Sequence, residues 1–589
     1  MEIALVLTIL LLAVLLFASE LLPMDLTSML VLLVLAATGL VSVKEAFSGF
    51  SNPAVITVAA MFIISAGISH TGAMSRVGER MISLADGSEP RLIAVIMTTV
   101  AIFSAFINNI GATAVLMPVV ASVARKLNIG PSKLLIPLAF GSLLGGVCTL
   151  IGTPPNILMN TLLRQYSGES FAMFDFTPIG LAIATSGILY MALFGRKLLP
   201  LRKAGKLTEE YQVKEYITEV EILAKSPIIG QTIARSRLAR DFNLKIRAIV
   251  RGGQKIPQPH GNSKLREGDI LFLEGNPEGI LKVMKAKGLE LIPERDNPPP
   301  KKPTEEMVVV EASLAPNSDL VGRTLSQVSF RESHGLNVLA LWRQGAPVVR
   351  QVDKVVLKFG DVLLLQGPLK RVLHLGRGHG FLLLGGVPPV PYRPRRAPLA
   401  LIILLAVILL ATLGVLPIML AAGLGAAAMV LGRCLTVQEA YESIDWRIII
   451  LIAGTLPLGL AMENSGAAQL IADQMLKVVG PFGPWVVLGA FFFLTSLLTE
   501  IMSHAATAVL IAPIAYHTAL TLGVDPKPFF MTVAIAASSC FMTPISHQSN
   551  ALVMGPGGYR FFDYSRVGAP LNLLVWMLGT LLVPLLFPF

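Results

Sequence analysis

Charge is scarce in these 589 residues: only 14% are Asp, Glu, Lys or Arg, against 53% hydrophobic. Cysteine is scarcer still. Cys148, Cys434 and Cys540 all lie in or beside apolar segments, lack metal-ligand spacing and offer no disulfide framework, so packing is their expected role. No Ser/His/Asp order, metal-binding cluster or phosphate loop is found, which leaves nothing to carry enzymatic chemistry. A TVGYG-type filter is also missing, which counts against an ion channel. The opening "MEIALV" lacks the basic n-region of a signal peptide, so the first apolar run is read as a retained span.

What the chain does have is long apolar runs. "ALVLTILLLAVLLF" (Ala4 to Phe17) and "LALIILLAVILLATLGVL" (Leu399 to Leu416) approach the roughly 20 residues that span a bilayer. Many such runs recur, which predicts a polytopic α-helical membrane protein. The net charge of +11 does not point to nucleic acid, because about two-thirds of the Lys and Arg fall between Arg196 and Arg396, the one long polar stretch. A basic bias beside spans marks the cytoplasmic side. Residues 200–396 are therefore expected in the cytoplasm, with the chain threaded many times through the inner (plasma) membrane and in contact with its lipid.

The two apolar ends are copies. "VKEAFSGF" (Val43 to Phe50) resembles "VQEAYESI" (Val437 to Ile444), and "HTGAMSRVGERM" (His70 to Met81) answers "NSGAAQLIADQM" (Asn464 to Met475). "NNIGATAVLMP" (Asn108 to Pro118) answers "SHAATAVLIAP" (Ser503 to Pro513), and "TLIGTPPN" (Thr149 to Asn156) answers "TPISHQSN" (Thr543 to Asn550). All four pairs keep a shift of about 394 residues, in order. "FDFTPIG" (Phe174 to Gly180) also matches "FDYSRVG" (Phe562 to Gly568). Each half, 1–200 and 397–589, reads as five spans plus one re-entrant hairpin. In the first half the spans are expected near 2–18, 27–43, 54–70, 132–163 and 176–199, with the hairpin at 89–125. In the second they are expected near 398–416, 418–434, 446–462, 528–552 and 567–588, with the hairpin at 484–517. An odd number of crossings gives the halves opposite topology. The segments 74–87 and 467–480 mix charge with apolar residues, as interfacial helices do.

The polar middle is doubled as well. "EVEILAKSPIIGQTI" (Glu219 to Ile233) resembles "VVEASLAPNSDLVGRTL" (Val309 to Leu325), and "REGDILFLEG" (Arg266 to Gly275) resembles "KFGDVLLLQG" (Lys358 to Gly367). Short alternating apolar runs with Gly and Asp turns suggest two small βαββ modules, 205–293 and 305–385, joined by a proline-rich linker at 294–304. "GRGHG" (Gly376 to Gly380) is too poor a glycine motif for a nucleotide and reads as a turn.

Duplicated halves with interrupted helices point to a secondary transporter. The segment "TLIGTPPNIL" places glycine and two prolines inside an apolar run, where lipid cannot satisfy freed backbone groups. Such a break has a use. It presents the N–H end of one half-helix, with about half a positive charge, to an anion. It also presents the C=O end of the other to a hard cation, so neutral Asn, Ser and Thr side chains suffice. The competing reading is a plain kink with its capping group, and for Asn108 and Asn109 a plain turn.

The paired hairpin tips, the "GTPPN" break and "GPGGYRFFDYSRVG" (Gly555 to Gly568) resemble the divalent anion:sodium symporter family of the ion-transporter superfamily, over nearly the whole chain. The likeness is to the branch with bacterial and algal sulfate transporters. The insert resembles a tandem pair of TrkA-C domains, the C-terminal modules of regulators of potassium conductance. The family carries Ser-Asn-Thr at each tip; here the positions hold Asn108, Asn109, Ile110 and Ser503, His504, Ala505. The resemblance implies one sodium ion near Ser104, Asn108, Asn109 and Gly152, and another near Thr499, His504 and Ser546. It places the anion between Asn108, Asn109 and Thr153 on one side and Ser503, His504 and His547 on the other, with Asn156 and Asn550 in support. Both tip threonines are lost and two histidines gained, which leaves the substrate and the second sodium site open.

His504 and His547 are either hydrogen-bonded packing residues or protonatable groups that help bind the anion or couple protons. Glu500 either pairs with His504 or structures the hairpin. The leading expectation is sodium-coupled symport of a small divalent anion, sulfate first and a dicarboxylate next, by an elevator-type movement. A sodium/proton antiporter or oxyanion exchanger is the alternative, and a channel gated by the insert ranks below it. The insert is expected to bind a cytosolic small-molecule regulator or to serve as a scaffold, and a homodimer is expected.

Overall fold

The computed structural model describes the chain except residues 1, 20, 75–79, 81–87, 128, 201–215, 225, 243, 252–253, 258, 276–282, 284–288, 292–306, 315–317, 344–345, 349–351, 359–360, 378–380 and 386–392. The linker at 294–304 and most of the first interfacial segment lie outside the described residues.

The apolar runs become helices whose ends follow local chemistry. In the first membrane region α1 is Glu2–Ser19, α2 Met24–Ala37, α3 Val43–Phe47 and α4 Pro53–Thr71. Ser42 and Glu45 close a capping box over α3, and Asn52 accepts from Ala54 N–H to start α4. The hairpin is α5 (Glu89–Ser104) and α6 (Asn109–Lys126), and the broken span is α7 (Leu135–Gly146) and α8 (Pro154–Ser167). α9 (Thr177–Tyr190) runs on through a π-turn toward the insert.

The insert forms two antiparallel sheets of the same topology. Strands β1 (Tyr216–Ile222), β2 (Lys245–Arg251), β3 (Gln254–Pro257), β4 (Ile270–Gly275) and β5 (Leu289–Leu291) lie in the order β3-β2-β4-β1-β5. Strands β6 (Met307–Leu314), β7 (Asn337–Arg343), β8 (Ala346–Pro347), β9 (Val362–Pro368) and β10 (Phe381–Gly385) lie in the order β10-β6-β9-β7-β8. The βαββ expectation is short by two strands in each module: β3 and β8 pair with the second strand of their module, and β5 and β10 return to pair with the first. Each module is fastened by a bidentate pair, Arg251 on Asp269 (2.7 and 2.7 Å) and Arg343 on Asp361 (2.7 and 2.6 Å). In both, the guanidinium also donates to a backbone carbonyl, Lys264 or Val356, at 2.8 Å. Donating to the Asp361 carboxylate pushes the Arg343 guanidinium above its ordinary value. Leu339, Ala340 and Leu364 of the second sheet join the core of the first. Gly376 and Arg377 end the helix α10 (Leu369–Arg377), and 378–380 lie outside the described residues.

The second membrane region has its helices in a similar order. Its helices are α11 (Ala397–Thr412), α12 (Ile418–Leu431), α13 (Val437–Ser443), α14 (Trp446–Asn464), α15 (Ala467–Val479), α16 (Pro484–Thr499), α17 (His504–Leu522), α18 (Lys527–Ser538), α19 (Gln548–Gly557) and α20 (Phe561–Leu586). Thr436 and Glu439 form a capping box over α13, as Ser42 and Glu45 do over α3. α15 covers the segment 467–480 that the sequence leads us to expect at the interface. Helices α2 and α14 pack together, as do α12 and α4; α5 packs on α7 as α16 packs on α18. Arg393 bonds Glu439 at 2.7 and 3.0 Å and Cys434 O at 3.0 Å, while its backbone N–H reaches His70 O at 3.0 Å. The strand leaving the insert is thereby tied to both membrane regions. Among the described residues, seven helices are long and apolar enough to cross a bilayer, and five shorter apolar ones accompany them.

Candidate functional site in the broken helices

Helix α5 stops at Ser104 and α6 starts at Asn109; α7 stops at Gly146 and α8 starts at Pro154. In the second region α16 gives way to α17 between Thr499 and His504, and α18 to α19 between Ser538 and Gln548. The prolines and small residues of the sequence are therefore interruptions, not kinks in continuous helices. Each half uses the same fastenings. Thr149 hydroxyl donates to Ala105 O at the first tip, and Thr543 hydroxyl donates to Glu500 O at the second, at 3.2 Å. From the following span, Thr177 hydroxyl donates to Cys148 O and Ser565 hydroxyl to Met542 O, both at 2.8 Å. Gly180 and Gly568 lie hard against those breaks: a β-carbon at Gly180 would stand 2.7 Å from Cys148 Cα, and one at Gly568 would overlap Phe541 O.

In the first half, Ser104 hydroxyl donates to Asn109 Oδ1 at 2.7 Å, and Asn108 Oδ1 accepts from Ile110 N–H at 2.9 Å. Asn109 lies directly on Gly146, and Gly152 on the Gly146 carbonyl, so these predicted cation-site residues are adjacent. Thr113 hydroxyl links Asn109 O (2.9 Å) to Ser142 (3.0 Å). Thr153 is buried at the N-cap of α8. Residues N1 and N2 of α8 are Pro154 and Pro155, which carry no N–H, so this half-helix offers its dipole but no donors there.

In the second half the rings of His504 and His547 lie 5.0 Å apart between centroids. Nδ1 of His547 accepts from Ser549 N–H at 3.0 Å, so the donor of the neutral ring is Nε2–H. Ser503 is the N-cap of α17 and makes no side-chain cap bond, leaving the first-turn N–H groups of α17 uncapped beside His504. Thr499 hydroxyl bonds back to Thr495 O, and Ser546 hydroxyl donates to Thr543 O at 2.9 Å.

Glu500 does not pair with His504. Its carboxylate accepts from Met542 N–H, Thr543 N–H and Asn572 Nδ2, each at 2.9 Å, and so holds the break to the tip and to α20. No Lys or Arg contacts it among the described residues. Asn156 Nδ2 donates to Thr149 O (2.8 Å), and Asn550 Nδ2 to Cys540 O (3.0 Å) and Thr543 O (3.2 Å).

The halves interlock at the breaks. α6 packs on α19 and α17 on α8, so each hairpin meets the other half's broken span, and Phe140 meets Phe541 edge-on at 5.1 Å. Tyr559 hydroxyl donates to Ser132 O (2.8 Å) and accepts from Ile136 N–H (3.0 Å) across the halves. Sequence reasoning missed Thr149, Thr543, Thr177, Ser565, Asn572 and Tyr559. Four of these stand in the repeat segments themselves, as a hydroxyl matched to a hydroxyl in both copies, and that pairing was the available signal.

A helical protein that spans the membrane many times, with interrupted helices meeting around neutral polar side chains, is built as a transporter. The pattern of the citrate transporter family (CitMHS) matches residues 14–536, and the chain belongs to that family. It is a transporter and not an enzyme. It is 39% identical to an uncharacterized transporter of Synechocystis, over 100% of this chain and 97% of that one. It is 33% identical to the uncharacterized transporter YfbS of Escherichia coli, over the full length of both. Sodium/sulfate cotransporter 1 of Chlamydomonas reinhardtii is 22% identical over 92% of this chain and 84% of its own. A sodium-dependent dicarboxylate transporter of Staphylococcus saprophyticus is 31% identical over 26% of this chain and 29% of its own.

Proposed function

We propose that the protein imports a small divalent anion, sulfate before dicarboxylate, by symport with sodium down its gradient. The observation that carries this reading is the set of four helix breaks, joined in pairs and lined by hydroxyl, amide and carbonyl oxygens and N–H donors, with the Glu500 carboxylate taken up by N–H groups. Sodium and helix dipoles then balance the anion's charge without an Arg or Lys. The names of the sodium/sulfate and sodium-dependent dicarboxylate relatives support the coupling ion.

The anion lies between the first tip (Asn108, Asn109, with Thr153) and the second (Ser503, His504, with His547). The uncapped start of α17 and the His547 Nε2–H supply donors that the prolines of α8 do not. Ser104, Asn108, Asn109 and Gly152 hold one sodium ion, and Thr499, His504 and Ser546 the other. The halves are inverted repeats, and each hairpin travels with its broken span as one unit against the scaffold of the first spans. The insert is a TrkA-C-like pair in the cytoplasm that binds a regulator, and the protein works as a dimer in the plasma membrane.

An antiporter would want a carboxylate free to exchange protons; Glu500 is committed to three N–H donors, which favours symport. Uptake of labelled sulfate, succinate and citrate into proteoliposomes, under imposed sodium or proton gradients, tests the proposal. Sulfate uptake that needs the sodium gradient is expected, and uptake driven by protons alone refutes it. Parallel pH profiles of wild type and His504→Asn decide whether that histidine couples protons.

A further inference from the structure

Asn156 and Asn550 occupy equivalent places in the internal repeat, each at the point where a broken span resumes as a helix. Both are fully buried. The bonds from Nδ2 to the carbonyls of Thr149, Cys540 and Thr543 fix which end of each amide is which. The other end, Oδ1, meets no donor among the described residues in either half. A buried carbonyl oxygen without a partner is unfavourable and uncommon, and calls for an ion or a water. Among the described residues Asn572 Oδ1 is a third such amide oxygen, but only those of Asn156 and Asn550 stand at matched positions.

The neighbourhood is rich in oxygen. Each asparagine lies one hydrogen bond from a threonine whose hydroxyl reaches the hairpin-tip carbonyl, Ala105 O in one half and Glu500 O in the other. Carbonyl oxygens of unwound segments are the ligands a hard monovalent cation takes in such transporters. We infer that Asn156 Oδ1 and Asn550 Oδ1 are each a ligand of a coupling cation, one per half, in addition to the tip residues named above. The inference rests on the sodium-coupling reading.

The test uses full-length protein in detergent without any substrate anion. Thermal unfolding is followed as sodium chloride replaces choline chloride at constant ionic strength. Wild type is expected to show saturable stabilisation by sodium. Asn156→Ala and Asn550→Ala are each expected to raise the sodium midpoint about tenfold, and the double variant to abolish the response. Asn156→Asp supplies a charged oxygen but gives up the Nδ2 donor to Thr149 O, and a midpoint below that of Asn156→Ala is expected.

Unchanged midpoints in the alanine variants overturn the inference and leave the oxygens to ordered water, while sodium stabilisation of wild type keeps the coupling reading intact. No sodium response in wild type overturns both. Should the alanine variants fail to fold, Asn156→Gln and Asn550→Gln, which keep both ends of the amide but move the oxygen by one methylene, take their place, and unchanged midpoints there overturn the inference.

Discussion

Replacing Glu500 by alanine separates a structural carboxylate from a proton carrier. The substitution strips the acceptor from Met542 N–H, Thr543 N–H and Asn572 Nδ2, all of them inside the second half. A buried donor left without a partner costs about 1–3 kcal/mol. Water entering the space relieves part of this, so we expect a loss of about 3–6 kcal/mol. With a melting entropy of about 2.1 cal/mol/K per residue over about 390 membrane-region residues, the unfolding midpoint falls by about 4–7 °C. Glu500→Gln keeps one acceptor oxygen but turns an NH₂ toward a donor, and is expected to lose about half as much. The assay is fluorescence-monitored unfolding in detergent, with uptake measured against pH in the same variants. A Glu500→Gln protein that melts with wild type yet loses its pH response would refute the reasoning, because the carboxylate would then act by carrying protons.

Three further outcomes are expected. Gly568→Ala forces a β-carbon into Phe541 O and should destabilise by about 1–3 kcal/mol, more than Gly180→Ala, where the nearest atoms stand 2.7 Å or further away; thermal unfolding of both variants checks the order. Asp269→Asn and Asp361→Asn each break a bidentate pair on a buried carboxylate and should cost about 3–5 kcal/mol, so hydrogen exchange should quicken most in the strands of the altered sheet. Burial alone would raise the Glu439 carboxyl, but the hydrogen bonds from Arg393 and Thr436 N–H win and hold it at about 2 instead of 4.5. Its contribution is thus complete above about pH 4.5 and lost as pH falls toward 2; Glu439→Gln should flatten that limb of a stability-against-pH curve.

The likeness of the two membrane regions was readable in the sequence because both keep the same punctuation. "TLIGTPPN" and "TPISHQSN" differ in most letters, yet each places a poor helix former, Gly152 or Pro544, where the span must open. Helix positions followed from apolar run length, and each of the four breaks overlaps a matched segment but begins two to four residues ahead of it. The sheets were legible as doubled, but not in strand number, since β5 and β10 are short edge strands whose pairing depends on contacts distant in sequence. The site was legible by position and less so by role. Glu500 and His504 are four residues apart, which suggests a pair; the break at 539–547 comes closer and takes the carboxylate with backbone N–H groups that no side-chain pattern reveals.

Apolar run length, which acts locally, determined by itself that this chain threads a membrane with helical segments on either side of a polar insert. The tertiary structure decided which polar atoms face one another: the imidazoles of His504 and His547, the three donors on Glu500, the unpartnered oxygens of Asn156 and Asn550. The physical reason is that hydrogen bonds depend on distances of a few tenths of an ångström between segments tens of residues apart. Only the packing of one half's hairpin against the other's broken span sets those distances.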